Sequence, residues 1–281
     1  MDYPTTTLSD NYDHLSQNPM WNQAMRAAIK ERIEHERHDA SLMAQRCGIT
    51  PDQWQRDLLR SDAKQLILNC SRQSGKSTIS AVLGLHQAIY TPDSLVLLLS
   101  PSLRQSQELF RKMKDTYNAL ESPALPKPTE ESALRLELDN GSRIVALPGS
   151  ESTVRGFSNV ALLICDEAAA CEDSLFFSIK PMLAVSNGRI ILLSTPRGKR
   201  GFFFDVWTNA ADDWKRVLIT ANQCPRISPS WLESERRAMP DFWFRQEFLC
   251  EFCETIDSVF SHDDISAALS ADIKPLFEKG D

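Results

Sequence analysis

The sequence predicts an α/β fold in which a mainly parallel central sheet is flanked by helices. Three observations predict it. Short, continuously apolar runs ("QLILNC", "SLVLLLS", "ALLICDEAA", "RIILLSTPRG") alternate with helix-forming stretches, the pattern of strands covered on both faces and joined by crossover helices. The first run leads straight into "SRQSGKST", the end of which fits a phosphate-binding loop opening a helix. Two later runs end in Asp166-Glu167 and Ser194-Thr195, which gathers polar groups at the carboxyl edge of the sheet, where open α/β sheets bind ligands.

The elements follow in chain order. Residues 1–20 are polar and unpatterned and read as a loose arm. "WNQAMRAAIKERIEHERHDASLMAQRCG" is helix-forming throughout, with Gly48 placed to stop it; its charged run "KERIEHERH" reads as a solvated face. A further helix restarts in "TPDQWQRDLLR", with Thr50 as N-cap, Pro51 at the first helical position and Gln53 completing a capping box. "QLILNC", the loop and the helix "KSTISAVLGLHQAIY" make a strand–loop–helix unit, and "SLVLLLS" with "SLRQSQELFRKMKDTYNAL" makes a second. "ESPALPKPTEES" reads as a Pro-rich surface connection. "LRLELDNGSRIVAL" reads as a β-hairpin turning at Asn140-Gly141. After the two polar-ended runs, "KRVLIT" supplies one more strand, and "SWLESERRAMPDFWFRQEFLCEF" is helical with an interruption near Pro240.

Bulk properties narrow the class. At 281 residues, 42% apolar and 25% charged, the chain can bury a substantial core. No apolar run reaches the roughly 18 residues of a membrane span. "MDYPTTTLSD" has neither a basic nor an apolar leader segment. A soluble, unexported protein is therefore expected. A net charge of −7 argues against a generally basic nucleic-acid coat and leaves a local basic patch open. The seven cysteines are an odd number without framework spacing, which suits reduced thiols. Cys250 and Cys253 form an isolated C-x-x-C, better read as packing than as a zinc site.

The chemistry rests on four segments. Gly75-Lys76-Ser77 completes a phosphate loop, but Cys70 stands where the first glycine belongs and Arg72 sits inside the loop. Ser71, Arg72, Gln73, Ser74, Gly75, Lys76, Ser77 and Thr78 would cradle phosphates on backbone N–H groups at a helix N-terminus, with Lys76 on the β/γ-phosphates and Ser77 on Mg²⁺. Asp166 is the expected metal-side acid and Glu167 the base that polarises the attacking water. Capping of a helix beginning near Ala168 would explain one of these acids, but not why an apolar strand delivers two. Ser194 and Thr195 either sense the γ-phosphate or form a simple turn before Pro196. Gln55 and Gln53, with Trp54 as an apolar wall, are candidates for the adenine edge. Together these segments predict a Mg-ATP hydrolase.

In order and spacing, "WQRDLL", "CSRQSGKST", "SPSLRQSQELF", "VRGFSNVALLICDEAA", "LLSTPRG" and "RQEFLCEF" resemble the ATPase domain of tailed-bacteriophage terminase large subunits, the motors that package DNA into procapsids. The resemblance spans roughly residues 50–255. It implies a RecA-like (ASCE) P-loop NTPase with a small C-terminal helical lid, divided into an arm and helix (1–48), an ATPase core (49–222) and a lid with a linker (223–281). It implies that Arg72 is a cis-acting arginine on the γ-phosphate, since the family's loop often lacks the first glycine and carries an arginine. It implies that Arg155 is a trans arginine finger, with Arg197 and Arg200 as competitors for that role or for DNA. It implies double-stranded DNA, a homo-oligomeric ring on a portal protein and a small terminase subunit as partners, without a membrane, in the host cytoplasm and transiently at the procapsid. No set of nuclease carboxylates follows Asp257, Asp263 and Asp264, so DNA cleavage is not expected of this chain. The alternatives are a superfamily 2 helicase-like fragment and a nucleotide-dependent assembly switch that hardly hydrolyses.

Overall fold

The computed structural model describes residues 23–120, 124–150, 154, 156–210, 213–254 and 268. Eight strands form one sheet: β1 (Gln65–Cys70), β2 (Leu95–Ser100), β3 (Pro128–Glu131), β4 (Arg135–Leu138), β5 (Arg143–Pro148), β6 (Val160–Asp166), β7 (Arg189–Ser194) and β8 (Trp214–Ile219). Their order is β3-β4-β5-β2-β6-β7-β1-β8. From β5 to β8 every pairing is parallel, and β3 and β4 extend the sheet antiparallel.

Side chains alternate across the parallel strands, and each set feeds its own core. Leu66 and Leu68 of β1 and Leu98 of β2 pack under α4 (Lys76–Tyr90) and α5 (Leu103–Ala119). The helices α1 (Gln23–His38), α2 (Ala40–Arg46) and α3 (Gln53–Leu59) add Ile33, Met43 and Leu58 to that layer. Ile67, Leu97 and Leu163 face the other way, against α6 (Asp173–Ala184) and α7 (Gly201–Asn209), where Phe176 and Phe202 stack with centroids 4.8 Å apart. Burial on both faces explains why these strands read as unbroken apolar runs rather than as alternating ones. A third, smaller cluster joins Ala221 to Leu232, Phe244 and Phe248 of α8 (Pro229–Ala238) and α9 (Asp241–Leu249).

Several sequence expectations need correction. The long first helix breaks at Asp39, which accepts from Ser41 N and caps α2. In the charged run, Glu36 is buried rather than solvated, bonded by Arg46 and by the Tyr90 hydroxyl. The N-cap of α3 is Asp52, not Thr50, and Gln55 rather than Gln53 completes the capping box. The Pro-rich connection contains the edge strand β3, exposed at every position. After Glu167 only a 3₁₀ turn forms at Ala168–Ala170, and the helix proper starts at Asp173. The hairpin joins β4 and β5 as expected, with Gly141 at φ +79°. Asn140 turns inward there and donates to the last carbonyls of α4, Ala88 O and Ile89 O.

Candidate active site

The sheet delivers β1, β7 and β6 side by side, so the loop after β1 and the polar ends of β6 and β7 meet at one edge. They open into a cleft of about 1180 Å³. Cys70 is the last residue of β1, paired in register with Ile219. An extended residue needs no glycine, and the turn falls later, on Gln73 (φ +60°) and Gly75 (φ +89°). Gly75 then starts α4, aiming the first N–H groups of that helix into the cleft.

The loop's polar side chains are already matched to the carboxylates. Lys76 Nζ is 3.1 Å from Glu167 Oε1 and donates to Thr195 Oγ1 at 3.4 Å. Ser77 Oγ donates to Asp166 Oδ2 at 2.7 Å. Burial alone would push the Lys76 ammonium down, but the Glu167 and Asp166 charges outweigh it and hold the pKa above its usual value. Asp166 moves upward, chiefly from burial and then from the neighbouring Glu167 charge, against the pull of Lys76 and Ser77. Two acids and one cation thus meet at the cleft floor, Asp166 and Lys76 buried and Glu167 partly exposed, an imbalance that a bound cation would relieve. Glu167 sits at φ +54°, uncommon for a residue with a side chain and the kind of strain that gathers at functional sites. Ser194 Oγ lies 3.5 Å from Glu167 Oε2 and accepts from Ala169 N at 3.1 Å, tying β7 to the strained turn.

Not every candidate residue reaches the cleft. Arg72, Gln73, Ser74, Gly75, Lys76, Ser77, Thr78, Glu167, Ser194 and Thr195 line it, with Asp166 bonded just behind Ser77. Ser71 is buried under the loop, its N–H donating to Ile219 O at 2.8 Å. Gln53 is exposed and bonded to Asp57 on its own helix. Gln55 is a strut behind the loop: its Nε2 donates to Ser74 O at 3.2 Å and its Oε1 accepts from Asp52 N at 2.9 Å. Trp54 packs half-buried against the core. Arg197 opens onto the cleft of its own chain and Arg200 does not. Arg155 lies outside the described residues. Cys250 donates from its thiol to Ile219 O at 3.2 Å.

The C-terminal helices were expected as a lid, but none of the residues that α8 and α9 bring to the cleft was named from the sequence. Arg72 forms an ion pair with the buried Glu247 of α9, and its backbone N–H donates to Glu247 O at 3.2 Å. Asn69, at the end of β1, donates to Cys250 O at 2.8 Å, and Gln246 accepts from Gly198 N at 3.3 Å. Arg226, Trp231 and Trp243 also line the cleft. Only the "RQEFLCEF" segment pointed there.

The phosphate loop, the paired acids and the helical cover together form an arrangement that can be set beside known proteins. Residues 67–267 match the family described as "Terminase large subunit, T4likevirus-type, N-terminal". The chain belongs to this family. It is 27% identical over 247 residues to the terminase large subunit of Thermus virus P23-45, covering 76% of this chain and 51% of that protein. It is 26% identical to that of Escherichia phage T5, over 73% of this chain and 48% of that one. The chain thus spans about half the length of the curated relatives it matches. Among solved structures, the large terminase ATPase domain of Thermus phage P74-26 superposes with a TM-score of 0.62 at 22% identity, over 75% of this chain and 97% of that one. The large terminase of another thermophilic bacteriophage, in complex with ADP, gives 0.56 at 14% identity, over 75% and 52%. These likenesses establish the shared fold of a terminase ATPase domain.

Within that fold, Gly75 is constrained for a local reason. A Cβ there would stand 2.8 Å from Gln55 Nε2 and 3.2 Å from the Arg226 guanidinium, at a φ that L side chains rarely adopt. Gly75→Ala is expected to destabilise the fold by about 1–3 kcal/mol, seen as a lowered midpoint in chemical denaturation, with weakened nucleotide binding.

Proposed function

We propose that the chain is the ATP-hydrolysing part of a DNA-packaging motor. The observation that carries this reading is the double pairing of Lys76 with Glu167 and Ser77 with Asp166 at the mouth of a phosphate loop. Relatives described as terminase large subunits support it, as does a neighbour in the same fold in complex with ADP. The proposed division is an arm and helix over 1–48, a core over 49–222, and a lid over 223–281 built on the separate cluster of α8 and α9.

In this reading the loop N–H groups and Lys76 bind the phosphates. Drawing Lys76 onto them loosens its pair with Glu167, which is then free to take a proton from the attacking water. Ser77 Oγ and the buried Asp166 carboxylate are hard oxygen donors suited to Mg²⁺, which is commonly held by one or two protein groups plus phosphates and water. When bound, that ion would neutralise charge on the transferring phosphoryl oxygens. Arg72 reaches the same oxygens once it leaves Glu247. Arg155, from a neighbouring copy in a ring, would complete the site in trans. Substrate DNA would be double-stranded and gripped through its phosphates, with little regard to sequence and weakening as salt rises. The expected partners are a portal protein and a small terminase subunit, and the expected setting is the cytoplasm of the bacterial host.

Steady-state ATPase activity against protein concentration tests this. Glu167→Ala and Arg155→Ala should each be nearly inactive, and an equimolar mixture should regain activity that neither has alone. Turnover independent of concentration, with a silent Arg155→Ala, would remove the trans finger and the ring.

A further inference from the structure

The sequence offered Gln55 or Gln53 to read the edge of the nucleotide base; in the structure Gln55 is bonded to the loop itself and Gln53 to Asp57. Gln55 is 3% exposed, with its amide bonded to Ser74 O and Asp52 N. Gln53 faces solvent. Neither amide offers a broad flat face to a base, and the topology says on which side one would lie. Asp166 and Glu167 enter the cleft from the β6–β7 side of β1, while β8 flanks β1 on the other side. Terminal phosphates lie toward the acids, so the sugar and base leave the loop toward the β8 side.

The chain that follows β8 supplies that wall. Arg226 is fixed against the loop, donating to Ser74 O at 2.7 Å and pairing with Asp52 at 2.8 Å. A short step further along the chain, Trp231 lines the cleft with 44% of its surface exposed. Phe248 packs against its ring in a T-shaped pair, with centroids 5.6 Å apart and planes at 80°. An indole pinned by one aromatic neighbour and still open to a polar cleft is an available stacking surface, because a large aromatic in water forgoes the burial that usually stabilises it.

We infer that Trp231 is the platform on which the nucleotide base stacks, a role that rests on the nucleotide reading above. Stacking needs only a π-face, so it holds a base whatever hydrogen bonds its edge makes.

The test compares a ligand with a base and one without. Calorimetric titration of the whole chain with ADP and with inorganic tripolyphosphate is run on wild type, Trp231→Ala and Trp231→Phe. Trp231→Ala should weaken ADP binding by about ten- to a hundredfold and leave tripolyphosphate binding within about twofold, and Trp231→Phe should restore most of the ADP affinity. Unchanged ADP affinity in Trp231→Ala overturns the assignment. So does an equal loss for both ligands, which would mark a structural role, or a selective loss that appears in Trp243→Ala instead. Failure of the wild type to bind either ligand would refute the nucleotide reading itself, a separate result.

Discussion

Glu167→Gln is expected to lower steady-state ATP turnover by about 10²–10⁴, the usual worth of a positioned general base, while ADP binds as tightly as to wild type or more so. The asymmetry follows from the geometry. Glu167 is held by Lys76 at 3.1 Å and sits close to Asp166. Its negative charge does nothing for a phosphate and opposes one. The amide keeps the size of the side chain and removes that charge. Lys76 stays anchored through Thr195 and the Asp166 charge. Binding therefore survives while proton abstraction is lost. Parallel measurement of single-turnover hydrolysis and of fluorescent ADP affinity separates the two. Turnover within about threefold of wild type would mean that Glu167 is only the counter-ion of the loop lysine.

Much of this site was legible in the sequence because backbone requirements and chemistry coincide there. Strands buried on both faces must be apolar runs, and their polar ends mark one sheet edge; Asp166, Glu167, Ser194 and Thr195 stood out for that reason. The loop was legible from Gly75-Lys76-Ser77, and Cys70 ceased to be an anomaly once it proved to be a strand residue. What stayed hidden depends on tertiary placement. Gln53 and Gln55 are two positions apart, and only the actual cap, Asp52, decides which one turns inward. Strand β3 pairs along one edge alone and is solvated at all four positions, so nothing forces an apolar pattern on "PTEE". Positive φ at Gln73 and Glu167 is carried by residues with side chains, and no glycine announces it. Glu36 looked like any other charge on a solvated helix until Arg46 and Tyr90 closed over it. Glu247 and Trp231 reach the cleft only because the small cluster of α8 and α9 docks on the loop.

Arg72→Ala is expected to cost about 10³-fold or more in turnover, the scale of an arginine that stabilises transferring phosphoryl charge, and to affect ADP binding far less than binding of ATP-γ-S. Its partner explains why the same residue can carry information. The Arg72 guanidinium is paired with Glu247, and the two backbones are joined by the Arg72 N–H to Glu247 O bond of 3.2 Å. Glu247 is buried, whereas Arg72 is mostly exposed and able to swing. A γ-phosphate offers that guanidinium three competing oxygens, and taking it leaves Glu247 as a buried carboxylate without its cation, an unfavourable state that repositioning α9 can relieve. A γ-phosphate on the loop and Glu247 of α9 thus compete for one cation. Glu247→Gln removes the competitor and should raise the ratio of ATP-γ-S to ADP affinity relative to wild type, because Arg72 no longer has to leave an ion pair. Arg72→Ala should lower the same ratio. In a Trp231→Phe background, Trp243, exposed at the cleft one helical turn before Glu247, gives an intrinsic fluorescence signal for movement of α9, and both variants should reduce the change in that signal on adding ATP-γ-S. If Glu247→Gln leaves both the affinity ratio and the fluorescence change as in wild type, the ion pair is a static contact and nucleotide state reaches α9 by another route.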